Sequence, residues 1–174
     1  MQIKKLSIIA MLVCAMFLLV PLVFATTVNE VEITKEIVCS TQTTGLQQKT
    51  YYNWYVEIKV TNYNNYPITN VKVSDRFGGE FGVEILIPGP QGEVELTYSG
   101  KTEKVSLFWN IGTLFEGQTA TLTLNVFTDT NPGGQPEFTS PGEHLMNSGA
   151  VVKWLNDRGK QNSAVTDPIV LIVV

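Results

Sequence analysis

Three polar side chains sit where this 174-residue chain is otherwise aliphatic. Lys35 falls between Ile33 and Ile37, Asp75 alternates with Val71 and Val73, and Asn147 shares the parity of Leu145 and Val151. Successive residues of a strand point to opposite faces of its sheet, so this spacing places all three on inward faces. A polar group there must find a partner among its own kind or lie at the end of the layers. Burial also changes what such groups can do. It disfavours charge, leaving the lysine closer to a neutral, nucleophilic amine and the acid closer to a carboxyl that can polarise an amide carbonyl. The plainer alternative is a Lys35–Asp75 pair near a strand end with Asn147 capping a turn, because one bulge shifts the parity of a strand.

The elements that would position these residues are strands. Leu107, Trp109 and Ile111 alternate with Phe108 and Asn110, and Ala120, Leu122, Leu124 and Val126 alternate with Thr121, Thr123 and Asn125, with Gly112 and Gly117 between. That is the pattern of two strands, each with one face in a core and one in water, joined by a tight reversal. Further strands are predicted over Val28 to Cys39, Tyr52 to Asn62, Ile68 to Asp75, Val83 to Ile87, Val94 to Tyr98, Leu145 to Leu155 and Ser163 to Val174. Turn signals fall between them at Asn64-Asn65-Tyr66-Pro67 and Asn156-Asp157-Arg158-Gly159. Many short strands at regular spacing predict an all-β, immunoglobulin-like Greek-key β-sandwich, preceded by an N-terminal hydrophobic signal helix.

That leader occupies residues 1–25. Lys4 and Lys5 precede an apolar run from Leu6 to Phe24, and Val23-Phe24-Ala25 offers small residues for cleavage after Ala25. An uncleaved anchor is the alternative, since the run approaches the roughly 20 residues of a spanning helix. Residues 26–174 then form a single β-sandwich domain, exported by the secretory pathway to the cell surface or beyond. Loss of Lys4 and Lys5 leaves 10 basic against 16 acidic residues and takes the net charge from −4 to −6. An acidic surface without a basic cluster argues against nucleic acid, and confines any membrane contact to the N-terminal segment.

Other reactive side chains are sparse. Cys14 lies in the leader, so Cys39 stands alone; its parity with Ile33 and Ile37 predicts burial, the alternative being a bridge between chains. The single histidine, His144, is expected on the surface rather than as a base. Phosphate loops, metal clusters and nucleophile motifs are missing, so the chain is read as non-enzymatic and without cofactor. Glu30 with Glu32 and Glu93 with Glu95 occupy outward positions. Asp129 and Glu137 near Asn131 are candidates for calcium but lack EF-hand spacing. Tyr63 and Tyr66 flank a loop and could stack on sugars, although aromatics on strands more often make core or cross-strand pairs.

The order of several motifs resembles the DUF-eleven family of bacterial and archaeal surface domains. The matching pieces are Ile33-Thr-Lys35, Trp54 to Asn62, Asn70 to Asp75, Trp109 to Leu114, Glu116 to Leu124 and Asn147 to Val151. The resemblance implies an immunoglobulin-type sandwich serving as a stalk, spacer or wall component, with other surface proteins or copies of itself as partners. Residues 76–99 depart from it, lacking the usual Leu-Pro-x-Gly after the Asp. A more distant resemblance to pilin and adhesin sandwiches implies that Lys35 and Asn147, with Asp75 as the acid, form a spontaneous isopeptide bond. Terminal strands from Val28 and to Val174 also allow a filament subunit built by strand exchange, as against each strand closing its own sheet.

Overall fold

Alternating apolar and polar side chains make one face of each strand worth burying, and two such faces bury each other. A computed structural model describes residues 30–44, 50–87, 91–99, 104–128 and 142–173. The leader and the calcium candidates Asp129, Asn131 and Glu137 lie outside the described residues.

The described strands are β1 (Val31–Thr44), β2 (Thr50–Asn62), β3 (Ile68–Phe77), β4 (Phe81–Ile87), β5 (Glu93–Tyr98) and β6 (Val105–Leu114), followed by β7 (Thr119–Thr128), β8 (Gly142–Asn147), β9 (Val151–Leu155), β10 (Gln161–Val165) and β11 (Ile169–Val173). One sheet has the order β1-β2-β7-β4, the other β10-β9-β3-β6-β5, with β8 joined to β3 and β11 to β8. Every pairing is antiparallel. Among the described residues there is no helix.

The core lies between the sheets in layers set by register. Ile37, Val56, Leu124 and Ile85 line up across the first sheet, and Val94, Trp109, Val73 and Val152 across the second. Trp109, Leu107, Ile58, Leu122 and Leu124 are fully enclosed. At the end of β2, Asn62 is buried with its amide satisfied: Nδ2 donates to the carbonyls of Tyr66 (2.9 Å) and Leu114 (3.0 Å), and Oδ1 accepts from both nitrogens of Asn64.

Several expectations need correction. The strand expected over Leu145 to Leu155 is two strands, β8 and β9, broken at residues 148–150, and the strand expected from Ser163 to Val174 is β10 and β11, broken at residues 166–168. The breaks face each other. Thr166 donates its N–H to the Ala150 carbonyl and accepts the Ala150 N–H on Oγ1, both at 2.9 Å. Gly149 has φ of +100° there, and Pro168 has no N–H for a ladder. Cys39, expected inside, is exposed and free. The β1–β2 register slips between Ile37 and Cys39, and this bulge returns Cys39 to solvent. His144, expected outside, is buried, with Nδ1 2.6 Å from Glu80 Oε2. The terminal strands β1 and β11 both pair within their own sandwich, with β2 and β8.

Candidate functional site

Lys35, Asp75 and Asn147 come from three strands and both sheets. Lys35 lies on edge strand β1, in register with Ile58 and through it with Leu122. Asp75 lies on β3, central in the other sheet, opposite Leu107. Its neighbours on that face, Val73 and Phe77, are core residues, so the carboxyl projects into the hydrophobic layer. Asn147 ends β8 and pairs with Phe77.

Asn147 reaches the interior by a route that simple parity does not describe. Leu145, its supposed companion, is half exposed, and the β8–β11 register slips between Leu145 and Asn147. The bulge turns both Met146 and Asn147 inward, each 0% exposed.

The cluster is closed to the surface. Lys35 Nζ lies 3.5 Å from Asp75 Oδ2, with both side chains fully enclosed. That exceeds the roughly 2.7–2.9 Å of a charge-assisted hydrogen bond. Asp75 Oδ1 accepts the Arg76 N–H at 2.7 Å, which leaves Oδ2 facing the lysine. Lys35 Nζ, Asp75 Oδ2 and Asn147 Nδ2 all lack a hydrogen-bond partner among the protein's own atoms. Asn62 shows how this fold satisfies a buried amide; Asn147, equally buried, is left half-satisfied beside two other open groups.

Protonation follows from burial. Desolvation lowers the Lys35 pKa and outweighs the opposing pull of Asp75. Desolvation likewise raises the Asp75 carboxyl above its ordinary range, against the pull of Lys35, the Asn147 amide and the Arg76 N–H. Both groups are therefore driven towards neutral forms, an amine and a carboxylic acid. Beside an amide carbon, those forms can carry out amine-for-ammonia exchange.

The structure contains both parts of the plainer alternative, the Lys35–Asp75 pair and a turn capped by Asn147. The Gly149 N–H donates to Asn147 Oδ1 at 2.8 Å. The signal was present as Asn147-Ser148-Gly149, an Asx-turn pattern in which an asparagine oxygen caps the N–H two residues on. The other candidates stand apart from this cluster. Tyr63 and Tyr66 lie at the β2–β3 corner with hydroxyls on Glu32 (3.1 Å) and Glu30 (3.0 Å), and Tyr66 is packed against the core. Phe108, half exposed, stands over a groove of about 620 Å³ lined also by Lys72, Glu93, Glu95, Asn110 and Lys153. Among the described residues no group of His, Cys, Asp and Glu is arranged to hold a metal.

The class defined by this fold is an all-β sandwich. No family model and no curated protein matches the chain. Among solved structures it is similar to the full-length major pilin SpaD from Corynebacterium diphtheriae, at 15% identity with a TM-score of 0.50, covering 81% of this chain and 36% of that one. An immunoglobulin-like protein from Nocardia farcinica matches at 14% identity and a TM-score of 0.45, over 81% of this chain and 96% of that one. A GH20 exo-β-N-acetylglucosaminidase from Vibrio harveyi matches at 13% identity and 0.42, over 79% of this chain but 18% of that one. At these identities the likeness is one of fold.

Proposed function

We propose that this chain is an immunoglobulin-like Greek-key module of a cell surface or extracellular assembly, structural rather than enzymatic, and stapled internally by an isopeptide bond from Lys35 to Asn147. The observation that carries the reading is the shared enclosure of Lys35, Asp75 and Asn147 with three unpartnered polar atoms. Single open atoms occur elsewhere among the described residues, at Asn125 and Trp154, but only here do three meet in one enclosure, and each costs about 1–3 kcal/mol.

In the reaction the Lys35 amine attacks Cγ of Asn147 and a C–N bond forms. The Cγ–Nδ2 bond breaks, and Nδ2 leaves as ammonia. Asp75 takes one proton from Nζ as it gives its own to Nδ2, so it ends as it began. The bond would join the edge strand of one sheet to the far flank of the other. By the chain-entropy argument used for disulfides, closing a loop from residue 35 to residue 147 stabilises by about 4–5 kcal/mol.

An exported location is supported by the hydrophobic leader pattern and by a motif order that resembles that of DUF-eleven domains. The fold likeness to a major pilin agrees with it. The alternative reading is a self-assembling filament subunit in which a terminal strand pairs with a neighbouring copy. Sizing of the purified protein tests it: a strictly monomeric species at high concentration overturns it. The test of the cross-link is intact mass. The purified mature chain should be lighter by one ammonia than the mass of the residues it contains, and Lys35→Ala should restore the full value. An unshifted wild-type mass overturns the cross-link, and labelling of intact cells that finds the protein only inside them overturns the surface role.

A second reading, sugar adhesion, draws on Tyr63 and Tyr66 at the β2–β3 corner and on Phe108 with its polar groove. A glycan array on which wild type and Phe108→Ala are equally blank removes it.

A further inference from the structure

We infer that the backbone N–H of Gly149 is the oxyanion donor of this cross-link, and that Thr166 is its positioning residue; the inference rests on the Lys35–Asn147 reaction proposed above. When Nζ adds to Cγ, negative charge gathers on Asn147 Oδ1 until the C–N bond to Nδ2 breaks and the carbonyl re-forms. The Gly149 N–H already points at that atom from 2.8 Å, in a buried hydrogen bond. A fixed donor aimed at developing charge in an enclosed site needs no rearrangement during the reaction.

The same bond fixes the orientation of the amide. A backbone N–H can only donate, so the side-chain atom facing it is the oxygen. Nδ2 is therefore turned the other way, unpartnered, and the Asn147 side chain lies close enough to Asp75 to pull on its carboxyl. The electrophile is activated at one end and its leaving group is open at the other.

The turn that presents this N–H is held from outside β8. Gly149 has φ of +100°, and a Cβ there would sit 2.6 Å from the Thr166 carbonyl oxygen. That close approach suits only glycine. Thr166 in turn is tied to Ala150 by its N–H and by Oγ1, both at 2.9 Å. The paired breaks in β8–β9 and β10–β11 thus act as a clamp that aims one N–H.

The experiment removes the N–H without touching a side chain. Cell-free translation of the full chain with glycolic acid in place of Gly149 replaces the amide by an ester, and ammonia loss is followed by mass from the moment of synthesis. The ester chain should fold, by hydrogen exchange, and cross-link about 10²-fold more slowly than wild type. Thr166→Val, which loses the Oγ1 acceptor, should also slow the reaction, and Thr166→Ser should restore it. Cross-linking of the ester chain at the wild-type rate overturns the role of Gly149 while leaving the isopeptide intact. Should the ester chain not fold, equal rates in wild type, Thr166→Val and Thr166→Ser overturn the clamp and the donor it aims. A wild type that never loses ammonia overturns both the reaction and this inference.

Discussion

Asn147 and Phe77 form the only backbone pair that joins β8 to β3 among the described residues. Below that bridge, β8 and β11 lean on each other and extend from the sheet, with Leu145, Val170 and Ile172 exposed. A covalent bond from Asn147 to Lys35 would hold that corner where hydrogen bonding is thinnest. Asn147→Ala should therefore return the full mass and lower the unfolding free energy by about 4–5 kcal/mol. Hydrogen exchange should locate the loss of protection mainly in β8 and β11; an even loss across both sheets would speak against the corner as the stapled element.

Asp75 has no redundant partner for its task. Asp75→Ala should leave Lys35 and Asn147 unjoined and the lysine buried without an acid. Breaking such a pair costs about 3–5 kcal/mol, whereas replacing it whole with apolar residues is often neutral or better. Lys35→Met with Asp75→Leu should thus be more stable than Asp75→Ala in urea denaturation, although neither cross-links.

The rate of ammonia loss should be bell-shaped in pH. It needs a neutral amine, so it rises as Lys35 loses its proton, and burial puts that limb below the ordinary value of 10.5. It needs a protonated carboxyl, so it falls as Asp75 ionises, and burial puts that limb above the ordinary 3.8. Stability in Asn147→Ala follows the same shifts. The folded lysine binds fewer protons than the unfolded one, so its cost is relieved as pH rises through its lowered pKa towards 10.5. The folded carboxyl binds more, so its cost is relieved as pH falls through its raised pKa towards 3.8. A rate independent of pH across that window contradicts the scheme.

Cys39 should react with a small thiol reagent in the native protein at the rate of an accessible thiol, without loss of far-ultraviolet circular dichroism. The bulge after Ile37 predicts this, since it turns the thiol to solvent. Protection until denaturant is added would place Cys39 back in the core.

Alternation carried most of the fold. Val71, Val73 and Asp75 on β3, and Ala120, Leu122, Leu124 and Val126 on β7, point inward as a period of two requires, because a sheet face offers no other arrangement. Identity and spacing alone thus placed Lys35 and Asp75 in the interior. Where a strand bulges, the period breaks locally, and residue types do not mark the spot. That is why Cys39 was expected inside and emerged outside, and why Asn147 was expected inside beside Leu145 and arrived there beside Met146.

The meeting of the three polar groups belongs to another level. Composition and strand parity determined that Lys35 and Asp75 would be buried, since aliphatic neighbours leave one face to share. That all three share a single pocket depends on which strands pair and in what register, and on how a bulge turns the end of β8 inward. Those are long-range contacts between segments far apart in the chain, and only the packed sandwich decides them, because strand pairing and register are chosen by the whole core at once.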